Sequence, residues 1–335
     1  MKFLRQLFNR AEKTDEILVP EAAILDELRE NDVQAETPVK RIVDDDDTIV
    51  PAAPPSPDEE HEGEATLAND PPSVRRRDAR AVRVGHATHV GRVRKRNEDS
   101  VLVTTSTTLG DAILPPFGLF VVADGMGGHA DGQRASQMAV RIVARDVMKE
   151  IFPPFLQIDK SEPSEPIQSI LESSLQTANW EIQAGNPESG TTVTAALLLG
   201  ERLFVAHVGD SRAYLIQDRE TSAELITLDH SFVQRLQDTG QISAEEAAIH
   251  PQRNVLYRAV GQGERLDVDT FTRPFPRPGW LVICSDGLWG EVDIALIQAA
   301  ITSASSPQQA CDEMIEAALD AGGQDNISIV VVQFS

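Results

Sequence analysis

"TAALLLGERLFVAHVGDSRAYLI", residues 194–216, contains three apolar runs separated only by Gly200-Glu201 and Gly209-Asp210. Each run has the length and character of a buried strand, and each break has the composition of a tight turn. A parallel pair needs a crossover of about a dozen residues or more, and neither break can hold one. The three runs therefore read as consecutive antiparallel strands, which excludes a doubly wound parallel sheet.

Further strand-like runs lie on either side: "AVRVGHATHV" (81–90), "SVLVTT" (100–105), "GLFVVAD" (118–124), "WLVICSD" (280–286) and "ISIVVVQF" (327–334). Helical periodicity runs through "RASQMAVRIVARDVMKEIF" (134–152). Pro166 opens a second helix, in which Ile167, Ile170, Leu171, Leu175, Ala178 and Ile182 share a face; a third lies near 294–302. A fourth starts at Pro307 and carries Cys311, Met314, Ile315 and Leu319. Helices come in groups and do not alternate with every strand, so the class is layered α+β, with helices packed on sheets.

The formal net charge of −23 is concentrated in residues 21–70, where acidic side chains face only Arg29, Lys40 and Arg41. A field of that sign repels nucleic acid. Residues 31–80, with "DDDDTIV" and "PAAPPSPDEEHEGE", are too polar and proline-rich to build a core. Residues 1–80 are therefore expected to be an extension, mostly a disordered acidic linker, and residues 81–335 the folded domain. "MKFLRQLFNR" (1–10) has the pattern of a short basic amphipathic helix, whose ten residues would bind a bilayer feebly. Thr37 and Thr48 read as solvated tail residues. No run is long and apolar enough to span a membrane, no secretory leader is evident, and Cys284 and Cys311 are too few for a disulfide framework. A cytoplasmic protein is expected.

Acidic residues recur where strands meet loops: Glu98 and Asp99 in "RKRNEDS", Asp124 in "VVADGMGG", Asp210 in "AHVGDSRA", Asp286 in "VICSDGLWG", and Asp325 in "GGQDNISIVVV". An Asp-Gly pair taken singly is ordinary turn composition. Asp124 and Asp286, however, end nearly continuous apolar runs and so emerge from a core, where an unpaired carboxylate costs several kcal/mol or takes up a proton. A cation would remove that cost. With oxygen donors throughout, no cysteine cluster and no histidine pair at i, i+4, Mg²⁺ or Mn²⁺ is favoured over zinc. Several carboxylates suit two ions about 3.5–4 Å apart, a hydrolytic arrangement. Gly125, lacking a side chain, lets its carbonyl approach an ion.

A phosphate-cradling loop is not supported, because there is no G-x-x-x-x-G-K-[ST] and "GMGGHADG" lacks the dinucleotide fingerprint. Cysteine-dependent phosphate chemistry is excluded too, since Gly290 stands where an arginine would follow Cys284. Cys284 is expected to pack within its strand.

From about residue 84 to 334, three quarters of the chain, the sequence resembles the bacterial branch of the metal-dependent Ser/Thr phosphatases, the protein phosphatase 2C family. Eight motifs occur in family order: "GRVRKRNEDS", "ADGMGGHADGQRAS", "SGTTVTAALL", "VGDSRAYL", "LDHSFVQRL", "HPQRNVLYRAVG", "CSDGLWG" and "GGQDNISIVVV". The resemblance implies a β-sandwich of two antiparallel sheets flanked by helix pairs, with the metals in a cleft at one end. It implies that Asp124 bridges two ions and that the Gly125 carbonyl and Glu98 serve one of them, directly or through water. Asp286 and Asp325 would hold the other ion, Asp99 would orient bound water, and Asp210 with Asp286 would hold a third, weaker ion. Arg94 would grip the substrate phosphate.

The implied activity is hydrolysis of phosphoserine and phosphothreonine in proteins by a water bridging two Mn²⁺ or Mg²⁺ ions, opposing a bacterial Ser/Thr kinase in a signalling role. The alternatives are a catalytically weak scaffold of the same fold and a regulator that dephosphorylates an anti-sigma antagonist. A monomer is expected. Eukaryotic members carry a histidine two residues after the bridging aspartate, where this sequence has Met126, which leaves the general acid unassigned. His129 reads as a helix-entry residue. Residues 230–258 resemble a mobile flap beside the site; Ser243 and Glu246 predict a capping box within it, and His250 and Arg253 are expected to cover the core.

Overall fold

A computed structural model describes residues 82–106, 114–127, 130–156, 165–217, 222–276 and 278–334. The expectations for residues 1–80, among them the helix over 1–10, the acidic linker, Thr37 and Thr48, fall outside these residues, as does that for His129.

Twelve strands are described: β1 (Val82–His89), β2 (Ser100–Ser106), β3 (Phe117–Ala123), β4 (Gly125–Met126), β5 (Gly190–Thr191), β6 (Val193–Leu199), β7 (Arg202–Val208), β8 (Arg212–Gln217), β9 (Ala223–Leu225), β10 (Asp269–Pro274), β11 (Gly279–Cys284) and β12 (Ile327–Phe334). They form two five-stranded sheets, ordered β1-β12-β11-β8-β9 and β10-β7-β6-β3-β2, and a small β4-β5 ribbon. Every pairing is antiparallel.

Why the strands read as unbroken apolar runs follows from what covers their faces. In β3, Phe120 and Val122 point between the two sheets with Leu203, Leu281, Ile283 and Val330, while Leu119, Val121 and Ala123 point outward. The outward side chains are covered by the helices Ala130–Glu150 and Ile167–Gly185. In β12 the same alternation sends Val330, Val332 and Phe334 inward, and Ile327, Ile329 and Val331 against Pro307–Ala321 and Ile294–Ser303. A strand buried on both faces has no polar face to alternate with. Each such Val, Leu or Ile contributes about 1.5–3 kcal/mol on burial.

The three-strand reading of residues 194–216 needs one correction. β6 and β7 form the expected hairpin, but β8 pairs with β11 and β9, in the other sheet. β7 already has β6 on one side and β10 on the other, so no edge is left for β8. The Gly209-Asp210 turn therefore carries the chain from sheet to sheet. Gly209 has φ +108° and a Cβ there would strike Thr192, so only glycine fits. β10, absent from the expected strands, is a half-buried edge strand with the polar sequence "DTFTRP", which carries little alternation.

Local signals mark the helix ends. Ser306 caps Pro307–Ala321, with proline at the first position, and Ser243 and Glu246 form the predicted capping box on Ala244–Ala248. The first long helix starts at Ala130, four residues before the periodicity becomes apparent. Cys284 is fully buried in β11, as expected. No helix among the described residues is long and apolar enough to cross a membrane.

Candidate metal centre

The strand register brings the acidic positions to one end of the sandwich. Ser100 at the start of β2 faces Ala123 at the end of β3, Val193 faces Val208, and Cys284 at the end of β11 faces both Arg212 and Ile329. Glu98 and Asp99 thus precede β2, Asp124 follows β3, Asp210 joins β7 to β8, Asp286 follows β11, and Asp325 precedes β12.

Neutral side chains fasten this end, and the sequence reading passed over them. Asn326 accepts from the Glu98 N–H at 2.8 Å and donates to the carbonyls of Val90 and Arg96 at 2.9 and 2.8 Å, tying the 90–98 loop to β12. Thr192 Oγ1 accepts from the Asp124 N–H at 3.0 Å, while its own N–H and the Thr191 hydroxyl both donate to the Asp124 carbonyl at 2.8 Å. Ser285 Oγ donates to Asp99 Oδ2 at 2.8 Å and accepts from the Ser328 N–H at 2.9 Å. Gly125 has a reason beyond carbonyl approach: any Cβ would collide with the backbone oxygens of Gly132 and Glu98. At Gly132 a Cβ would lie 2.5 Å from Glu98 Oε2, so the Glu98 carboxyl sits against the start of the Ala130–Glu150 helix.

Asp99, Asp124, Asp286 and Asp325 are brought together. Burial raises Asp99 to about 6; Asp325 adds to the rise, and hydrogen bonds to Ser328, Ser285 and Asp124 oppose it. Burial and the neighbouring Asp325 raise Asp286 to about 7, against a hydrogen bond to Asp124 and the charge of Arg94. Asp210 lies well above the usual carboxylate range, first through burial and then through repulsion by Asp286 and Asp229. Asp99 Oδ1 and Asp286 Oδ1 are buried with no hydrogen-bond partner. Part of Asp286 reaches solvent, but that oxygen does not.

Carboxyls in this state near neutral pH hold either protons or a cation. With oxygen the only donor element, the set fits hard divalent ions. Among the described residues, no three Asp, Glu, His or Cys side chains are arranged so that they could hold a metal ion together as they stand. The group is open, held by hydrogen bonds to Asp124 and by an Arg94 Nη2–Asp325 Oδ2 ion pair of 2.6 Å. Arg94 therefore stands at the rim of the carboxyl cluster with its side chain partly exposed.

The segment 230–258 is a module with joined feet: Phe232 N–H donates to Val255 O at 2.7 Å, and Tyr257 N–H to His230 O at 3.0 Å. Met126 packs against Leu256 and Ala259 near its second foot, a purely apolar role. His250 stays local, its ring 6.1 Å from that of Phe232 and its Nδ1 accepting from the Gln252 N–H. Arg253 is exposed.

The family profile described as Protein phosphatase 2C matches residues 97–293. The serine/threonine phosphatase stp of Listeria innocua is 36% identical over 249 residues, which cover 72% of this chain and 92% of that protein. The crystal structure of the Mycobacterium tuberculosis serine/threonine phosphatase PstP/Ppp superposes with a TM-score of 0.62 at 34% identity, covering 75% of this chain and 98% of the solved one. The catalytic domain of PstP in complex with two manganese ions gives a TM-score of 0.60 at 33% identity, covering 76% and 98% of the two chains. The sandwich, the order of its motifs and these likenesses agree: the chain belongs to the protein phosphatase 2C family.

Proposed function

We propose that this chain hydrolyses phosphoserine and phosphothreonine in proteins, using two Mn²⁺ or Mg²⁺ ions. The observation that carries the reading is the pair of buried, partnerless carboxyl oxygens, Asp99 Oδ1 and Asp286 Oδ1, at the strand ends. Relatives that bear the activity in their names, one of them crystallised with two manganese ions, support it.

In this assignment Asp124, the Gly125 carbonyl, Glu98, Asp286 and Asp325 would hold the two ions, Asp99 would orient bound water, and Asp210 with Asp286 would hold a third, weaker ion. When bound, the ions neutralise the carboxyl cluster and polarise phosphoryl oxygen. Arg94, held beside the cluster by Asp325, presents a planar fork suited to two phosphate oxygens. Without the ions, burial and neighbouring carboxylates raise Asp99 to about 6 and Asp286 to about 7; a bound cation would reverse that and hold both carboxyls ionised. Met126 has no proton to give, and its packing keeps it out of proton transfer.

The catalytic unit is assigned to residues 81–335 and the extension to 1–80. The proposed partners are phosphoproteins made by a Ser/Thr kinase in the cytoplasm, with no role for nucleic acid and with the enzyme acting as a monomer. No observation favours the non-catalytic scaffold, since all the expected acidic positions are filled.

The test is Mn²⁺-dependent phosphate release from p-nitrophenyl phosphate and from a phosphothreonine peptide. Asp124→Ala is expected to lose at least about a hundredfold in rate with its circular dichroism unchanged, as loss of one essential group commonly does. A wild-type rate in that variant, or no release by folded, metal-loaded wild type, overturns the proposal.

A further inference from the structure

The Gly209-Asp210 turn is gripped from both sides by groups that the proposed chemistry leaves unused. On one side Gly209 N–H donates to His230 Nδ1 at 3.0 Å. Accepting at Nδ1 places the proton of the neutral ring on Nε2, which faces Asp269 Oδ2 at 3.2 Å. On the other side the Trp289 indole Nε1–H donates to the Asp210 carbonyl at 3.0 Å. The two grips belong to one circuit. The Arg212 guanidinium lies 3.6 Å over the Trp289 ring and forks onto Asp229, at 3.0 Å through Nε and 2.8 Å through Nη2, and Asp229 adjoins His230 in the chain.

Trp289 also ends the short helix that Asp286 begins, Asp286–Trp289. One rigid turn thus carries a carboxyl at its start and, at its end, the donor that fixes the backbone of a second carboxylate residue. Asp210 is buried and is repelled by the Asp286 carboxyl, part of which reaches solvent. We infer that Trp289 is a positioning residue that sets the separation of Asp210 from Asp286 and thereby the affinity of the weaker cation they share. The inference rests on the cation-holding role proposed for these two aspartates. His230 braces the same turn from the foot of the 230–258 module, so the position of Asp210 is linked to the seating of that module.

The test reads binding rather than turnover. Full-length wild type and Trp289→Phe, which keeps a ring under Arg212 and loses the N–H, are titrated with Mg²⁺ by calorimetry. The expected result is about a tenfold loss in the weaker binding phase, the scale of one lost hydrogen bond, with the tighter phase unchanged. A second measurement needs no variant. In ¹⁵N-tryptophan-labelled wild type, the Trp289 indole resonance is expected to move during the weaker Mg²⁺ phase, while that of the exposed Trp180 stays still.

An unchanged weaker phase in a folded Trp289→Phe overturns the inference. So does a Trp289 indole indifferent to Mg²⁺, or the absence of any weaker phase in wild type. These results leave the phosphatase reading intact if wild type still releases phosphate. Failure to release phosphate would sink that reading without moving the binding curves.

Discussion

Replacing Asp286 by asparagine is expected to abolish turnover and yet stabilise the metal-free protein, by an amount that grows with pH. Asp286 sits at about 7 in the folded chain against a reference of 3.8. Below the reference value both states are protonated and the residue costs nothing. Between the two values the unfolded chain has released its proton while the folded chain keeps it, so stability falls as pH rises. Above about 7 both states are ionised and the penalty stays constant. A gap of roughly three units at 1.36 kcal/mol each gives about 4 kcal/mol. Because part of the residue reaches solvent, about 2–4 kcal/mol is the expected range. Asparagine is neutral throughout and also removes the repulsion between this position and the carboxyls of Asp99 and Asp210. Urea unfolding in chelator at pH 4, 6 and 8 should show the variant's advantage over wild type rising across the series. With saturating Mn²⁺ the order should invert, since only wild type gains the full binding free energy. An advantage that does not depend on pH would refute the reasoning, because it would mean that the Asp286 carboxyl is not held protonated by its surroundings.

Arg94→Ala should raise KM for a phosphothreonine peptide by about 10–100-fold with a smaller change in kcat, the loss expected for a charged hydrogen-bonded contact worth about 1.5–3 kcal/mol; an unchanged KM in steady-state kinetics would remove Arg94 from phosphate binding. Asn326→Ala strips three hydrogen bonds that tie the 90–98 loop to β12. It should cost about 2–4 kcal/mol in denaturant melts and speed amide exchange over residues 90–98. Wild-type exchange there would show that the loop is held by other contacts.

Much of this protein is legible in one dimension, for identifiable reasons. Strands covered on both faces must be apolar throughout, so β3, β11 and β12 announce themselves; glycine-bearing breaks too short for a crossover force antiparallel pairing, as at Gly200. Ser243 with Glu246 and Ser306 with Pro307 mark helix starts through bonds made within four residues. Acidic residues ending apolar runs stand out because a core does not tolerate them alone. β10 escaped because an edge strand with half-buried polar residues obeys no such constraint.

What the chain alone left open is where elements go once their own edges are satisfied. That β8 leaves β7 for the other sheet depends on β10, some fifty residues further along, having taken the remaining edge of β7. That Asn326, Thr192, Ser285 and Trp289 hold the acidic turns in place is likewise invisible locally. A neutral side chain beside a strand reads the same whether it faces water or three distant carbonyl and amide groups. The sequence determined which residues must be buried and which carboxylates need company. The tertiary structure decided which partners they meet, because hydrogen bonds and Coulomb forces act over a few ångströms of space however many residues of chain lie between.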